Sequence, residues 1–127
     1  MPSGTVTLQV TVTSNNLQKV GGDIVGGLRR SLRMEAEEIL LAAKMLTPVD
    51  RGWLQASGKV QGPWMAAGIF DVAITFGDSA TPYALIVHEN LKARHAAPTQ
   101  AKFLEYPARQ AAAGFGPRLL ARAGRWA

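Results

Sequence analysis

Between Asp23 and Leu46, apolar side chains recur at Val25, Leu28, Leu32, Ala36, Ile39, Ala43 and Leu46, each step three or four residues long. That spacing lines them along one stripe of a helix, whereas a strand would scatter them over both faces. Uninterrupted, such a helix is about 36 Å long, enough to cross a small domain, so the rest of the chain has to be arranged against it. Its start is weak: Gly26 and Gly27 each cost roughly 1 kcal/mol relative to alanine, although Asp23 can supply a cap. Its end is sharp. In Thr47-Pro48-Val49-Asp50-Arg51-Gly52, Pro48 has no N–H and pushes Thr47 out of the helical region. Asp50 can accept backbone N–H groups in the turn, and Gly52 permits a conformation that residues with a Cβ resist.

Thr5 to Thr13 reads as a strand, with Val6, Leu8, Val10 and Val12 alternating with threonines and Gln9. One face is apolar and the other polar, the pattern of an antiparallel or edge strand with a wet side. Leu17 to Val20 allows one helical turn before Gly21-Gly22. Beyond the long helix, Trp53 to Val60 shows a weak alternation that favours a strand, Gln61-Gly62-Pro63 is a break, and Trp64 to Gly68 reads as a hairpin connection. Phe70, Val72, Ile74 and Phe76 give the clearest strand. Tyr83 to His88 is a short apolar run between turn signals, the mark of a buried strand. Asn90 to Pro98 is a loop. Thr99 to Tyr106 reads as a short helix with Phe103 and Leu104 facing inward, followed by helical stretches at Ala108–Ala113 and Pro117–Ala123 around Gly114-Phe115-Gly116. The expected fold is α+β: an antiparallel β-sheet packed against one long α-helix, with a shorter C-terminal helix. At 127 residues, residues 1–127 are expected to form a single domain.

A net charge of +5 and a pI near 10.1 raise the question of nucleic acid. The distribution weakens it. Arg29, Arg30 and Arg33 are followed by Glu35, Glu37 and Glu38, so the long helix is expected to carry a mixed-charge outer face. The local basic excess lies in the segment from about 108 to 127, at Arg109, Arg118, Arg122 and Arg125, which reads as a solvated or partner-facing tail. There is no cysteine, hence no thiolate metal site. His88 and His95, with Glu89 beside the first, lack a third ligand in a recognisable spacing, and His88 reads instead as a strand-end residue that pins its loop. Ser57 and Ser79 have no nucleophile-elbow context, and the Gly-Gly pairs lack the strand and lysine of a phosphate loop. Trp53, Trp64 and Trp126 are too scattered for a stacking platform and read as core or interface anchors. No catalytic residue, cofactor or metal is expected. With no secretion-type leader pattern and no apolar run of roughly 20 residues, a soluble cytoplasmic product is expected.

Three segments then fall in a telling order: Pro48-Val49-Asp50 with Gly52, Tyr83-Ala84 leading to His88-Glu89, and Gln100-Ala101-Lys102-Phe103-Leu104. Together they resemble the small tail-completion and head–tail joining proteins of tailed bacteriophages, over roughly residues 16 to 107. Arg51 departs from that pattern, standing where a small hydroxyl residue is more usual. The resemblance implies a virion structural protein of the neck or tail end, assembled in the host cytoplasm and not an enzyme. It implies a homo-oligomeric ring, six-fold by preference and twelve-fold as the alternative. The implied partners are the tail tube protein and head-completion or connector proteins, with DNA passing non-specifically through the lumen. Pro48, Asp50, Gly52, Tyr83, His88, Glu89, Lys102, Phe103 and Leu104 are then structural motif residues. Candidate subunit contacts are Val6 and Val10 on the first strand and Arg29, Arg33 and Glu37 on the long helix. The competing readings are a small non-enzymatic nucleic-acid-binding module and a metal-dependent hydrolase around His88, Glu89 and His95.

Overall fold

The helical stripe seen in the sequence becomes α1, Gly22–Leu46, in a computed structural model that describes residues 5–13, 22–48, 52–66, 69–78, 81–91 and 99–124. Leu28, Leu32, Ala36, Ile39, Leu40 and Ala43 are buried along one side of it. Three of the last four carbonyls of the helix have partners from outside its own ladder, as a buried terminus needs. The Thr47 hydroxyl donates to the Ala43 carbonyl at 2.7 Å, the Gln55 side-chain amide to Lys44 at 3.0 Å, and the Gln100 N–H to Leu46 at 2.8 Å. Gly52 then sits at φ +80°, a left-handed conformation that explains the glycine there. The expected role of Asp50 lies outside the described residues, as do the Leu17–Val20 turn and the Asn90–Pro98 loop beyond Leu91.

Three antiparallel strands form the sheet: β1 (Val6–Thr13), β2 (Lys59–Ala66) and β3 (Ile69–Phe76), in the order β1-β3-β2. The register sets Val6 opposite Phe76, Leu8 opposite Ile74 and Val10 opposite Val72, with Val60 opposite Ile74 on the other side. Because side chains alternate along a strand, this register places Val6, Leu8, Val10, Val60, Phe70, Val72, Ile74 and Phe76 on one face, toward the core. The opposite face carries Thr7, Gln9 and Thr11, with Thr11 donating to Asp71 at 2.6 Å. Pairing between β2 and β3 shifts between Gln61 and Trp64, where Gly62 (φ +92°) and Pro63 are joined by a cis peptide bond. Two residues there oppose one, a β-bulge. Gln61-Gly62-Pro63 is therefore a kink within a strand, and the strand continues to Ala66 where the sequence suggested a connection.

Two segments expected as strands are helical. Trp53–Ala56 forms the single turn α2, stopped by Ser57, whose hydroxyl donates to the Leu54 carbonyl at 2.6 Å and accepts from the Gly77 N–H at 2.8 Å. Both bonding capacities of Ser57 are thus used in joining α2 to the end of β3. Ala84–Glu89 forms α3, with Ala84 and His88 buried and Ile86 69% exposed. A buried strand would have hidden Ile86; one helical turn hides positions four apart instead.

The C-terminal region holds α4 (Glu105–Ala112) and α5 (Phe115–Gly124). The expected helix over Thr99–Tyr106 is mostly irregular. Lys102 takes φ +57°, and α4 begins only at Glu105, with Pro107 in its first turn, where proline is tolerated. Phe103 and Leu104 are buried as expected, at 0% and 2% exposure. The break between the last helices falls at Ala113-Gly114, so Phe115 and Gly116 belong to α5. The fold is α+β, a three-stranded antiparallel sheet covered by one long helix, with shorter helices at the C-terminal end. Among the described residues no helix is long and apolar enough to cross a membrane.

Candidate functional site

The residues singled out at the second and third motifs converge on one joint between α3 and α4. His88 is 4% exposed, and its ring stands edge-on to Phe103 at 4.9 Å between centroids. Its Nε2 lies 3.3 Å from the Glu105 N–H and accepts from it. Nδ1 therefore carries the ring proton and donates to Glu89 Oε1 at 2.9 Å. A neutral imidazole satisfies both contacts, and the orphan N–H at the start of α4 gains a partner. The Lys102 N–H donates to the His88 carbonyl at 2.7 Å, while the Lys102 ammonium binds Glu89 and lies 3.4 Å from Glu105. Arg109 closes the set, 2.9 Å from Glu105. His88 thus ends a helix, not a strand, but it pins the following chain as the sequence suggested.

The charges at this joint reinforce one another. Lys102 first and His88 second hold the Glu89 carboxyl below its ordinary 4.5. Arg109 first and Lys102 second lower that of Glu105, and Glu89 holds the Lys102 ammonium above its ordinary 10.5. A lowered carboxylate stabilises the fold above its unfolded value and loses that contribution as pH falls through the folded one; a raised ammonium does the reverse at the alkaline end. The stability difference between the parent chain and Glu89→Gln is therefore expected to be flat from about pH 5 to pH 10 and to shrink outside that window. Urea titrations at intervals of pH would check this. A difference that grows on acidification would refute the proposed pairing.

Among the described residues, no group of three or more histidine, aspartate or glutamate side chains is placed to hold a metal ion; His95 lies outside them. Tyr83 precedes α3 with 39% of its surface exposed. Pro48 and Gly52 belong to the other joint, at the end of α1.

The basic C-terminal segment is where the structure departs most from expectation. Glu35, read as part of the outer face of α1, is 1% exposed. Arg118 Nε lies 2.9 and 3.0 Å from its two oxygens, and Arg122 Nε lies 3.1 Å away. Arg122 also donates to Glu38 at 2.5 Å, and Arg118 donates to the carbonyls of Ala111 and Ala113 at 2.6 and 3.1 Å. Two arginines of the supposed tail are therefore folded back onto the long helix. The i, i+4 spacing of Arg118 and Arg122 was the one available signal, since it sets both on one helical face.

The candidate contact residues divide. Val6 is buried and Val10 packs against the core, so β1 offers a neighbour its backbone edge and not those two side chains. Arg33 donates to Glu37 at 2.9 Å and to the Gly62 carbonyl at 2.6 Å, tying α1 to the bulge in β2. Arg29 and Glu37 are exposed. Sequence reading missed a second surface on α1: Met34, Leu41 and Met45 lie 40%, 64% and 64% exposed on the side opposite the core. Along the outer edge of β1 runs a groove of about 510 Å³, lined by Thr7, Leu8, Leu85, Leu104 and Ala108. A depression of about 360 Å³ shares Leu8 and Ala108 and extends past Val10 to Phe115. No family model, curated protein or solved structure matches the chain.

Proposed function

We propose that this chain is a virion structural subunit of a tailed bacteriophage, placed at the neck or tail end. It forms a homo-oligomeric ring that terminates the tail tube or joins tail to head and leaves a lumen for DNA. The resemblance at Pro48–Gly52, Tyr83–Glu89 and Gln100–Leu104 supports the family. It favours a hexamer over a dodecamer, and as partners it suggests the tail tube protein and head-completion or connector proteins. DNA in the lumen meets basic side chains without base recognition.

The observation that carries the assembly is the outer edge of β1. Val6–Thr13 contains no charge and no proline, and it pairs with β3 in unbroken register. No described strand lies on its other side. The opposite edge of the sheet is guarded by a bulge, by Pro63 and by Lys59, devices that discourage strand addition. Among the described residues, one edge of the sheet carries these guards, and the other carries none of them and has no paired strand. The exposed Met34, Leu41 and Met45 on one side of α1 offer a second apolar surface for a neighbour.

The alternative of a small nucleic-acid-binding module draws less support, because Arg118 and Arg122 are engaged by Glu35 and Glu38. Thr7 and Gln9 are exposed on the wet face, so Thr7→Lys with Gln9→Lys is expected to leave the stability within about 0.5 kcal/mol of the parent. The same change arms the edge with charge, and it should abolish ring formation in native mass measurements and the joining of heads to tails. A lysine variant that assembles normally, or a parent chain that stays monomeric on completed tails, would refute the proposal.

A further inference from the structure

The face of α1 under α5 differs from the face under the sheet. Toward the sheet the buried side chains of α1 are apolar, with Arg33 reaching the Gly62 carbonyl of β2. Beneath α5 lies Glu35, held by two arginines; one turn before it on the same side of α1 is Ser31, whose hydroxyl is fully buried and has no hydrogen-bond partner. Leu119 is the buried apolar anchor of α5 on this face, with Phe115 packed at the margin of the core. A contact made of matched charges around a small apolar centre has the character of an interface between separate bodies, more polar than an interior. Its two halves also tolerate water when apart, since the carboxylates, guanidinium groups and serine can all be hydrated.

The connection to α5 is equally distinctive. α4 ends at Ala112, Ala113 is extended (φ −66°, ψ 120°), and Gly114 takes φ +69°. A Cβ on Gly114 would meet nothing closer than 3.8 Å, so the turn is uncrowded. Among the described residues, α1 is the one element against which α5 packs extensively. Arg118 also ties it across the hinge to the Ala111 and Ala113 carbonyls, and an element with one extensive docking partner and a short hinge can leave its own chain and dock on a neighbour's.

We propose that α5 is exchanged between copies: α5 of one chain docks on the Ser31, Glu35 and Glu38 face of α1 in the next, each giving and receiving one helix head to tail. The occupant of that face is fixed by charge complementarity. Two arginines four residues apart meet two glutamates three apart, and matched charges of this kind set register and reject wrong partners. A buried ion pair contributes little net stability but is a recognised device for such specificity. The inference rests on the ring reading, since it supplies the link by which the ring closes.

Charge reversal in separate full-length chains tests it. One chain carries Glu35→Arg and Glu38→Arg; a second carries Arg118→Glu and Arg122→Glu; a third carries all four changes and reports whether the reversed pair can fold. Alone, the first two place like charges together whether α5 docks within or between chains. Mixed and refolded together, they match only between chains. The expected result is a mixed oligomer holding both chains in equal number by native mass spectrometry, with neither chain assembling alone. A mixture that behaves as the sum of its parts, while the third chain folds, overturns the exchange. Should the third chain fail to fold, Glu38→Cys with Arg122→Cys in the otherwise cysteine-free protein decides the matter under a short bis-maleimide. Covalent multimers on a denaturing gel support exchange, and internally bridged monomers alone overturn it. Native oligomers that yield only bridged monomers would leave the ring standing and remove the exchange. A mixed pair that never grows beyond a dimer would uphold the exchange and remove the ring.

Discussion

Replacing Arg118 with alanine is expected to destabilise the fold by about 3 kcal/mol, at the low end of the range for removing one partner of a buried ion pair. The reason is what the substitution leaves behind. The Glu35 carboxylate is 1% exposed, and without Arg118 it loses both of the contacts at 2.9 and 3.0 Å. Arg122 Nε at 3.1 Å remains, which is why the low end applies. Glu35→Leu should cost less, because Arg118 keeps the Ala111 and Ala113 carbonyls and part of its surface reaches water. Combining Glu35→Leu with Arg118→Met should return the stability to within about 1 kcal/mol of the parent, since an apolar pair of similar volume needs no desolvation of charge. Urea midpoints for the parent, Glu35→Leu, Arg118→Met and the chain with both changes form a double-mutant cycle. A coupling energy near zero would mean that Glu35 is hydrated in solution and that α5 does not lie on it.

This cluster also marks where the sequence stops being legible. The core stripe of α1 could be read because burial repeats every three or four residues, and β1 and β3 because theirs repeats every two. Such periodicities are local properties of one segment. Glu35 sits at the flank of the stripe, in a run where arginines are followed by glutamates as on a solvated surface. Only the docking of a helix more than eighty positions later distinguishes it from Glu37. The α3 segment failed for another reason. Ala84 and His88 are four apart, but Leu85, Ile86 and Val87 between them are apolar, and β-branched residues favour strands. Six residues are too few for periodicity to arbitrate, and the hydrogen bond from Glu105 to His88 that fixes the joint comes from outside the segment. At the end of α1, by contrast, Thr47, Pro48 and Gly52 announced the stop, because their effects are confined to neighbouring peptide units. What could not be foreseen was that Gln55 and Gln100 would supply the donors for Lys44 and Leu46.

Phe103→Ala is expected to be the most damaging single change, at about 3–5 kcal/mol, a large part of the 5–15 kcal/mol by which a domain is ordinarily stable. Phe103 is fully buried and is wedged between two other rings. It meets Phe76 edge-on at 5.0 Å between centroids and His88 at 4.9 Å. Truncation removes the largest side chain of the α3–α4 joint, and its neighbours are held elsewhere: Phe76 ends the central strand, and His88 is bonded to Glu89 and Glu105. The cavity therefore cannot collapse cheaply, which puts the cost near the upper part of the range for such sites. Phe103→Leu retains most of the volume and loses the edge-on contacts, so it should cost markedly less, about 1–2 kcal/mol. Thermal unfolding of both variants measures the contrast. Amide exchange should also show α3 and the first turn of α4 losing protection together in the alanine variant, because His88 is the group through which the two helices are bonded. Equal stability of the alanine and leucine chains would show that Phe103 does not fill the joint, and independent exchange of α3 and α4 would show that His88 does not couple them.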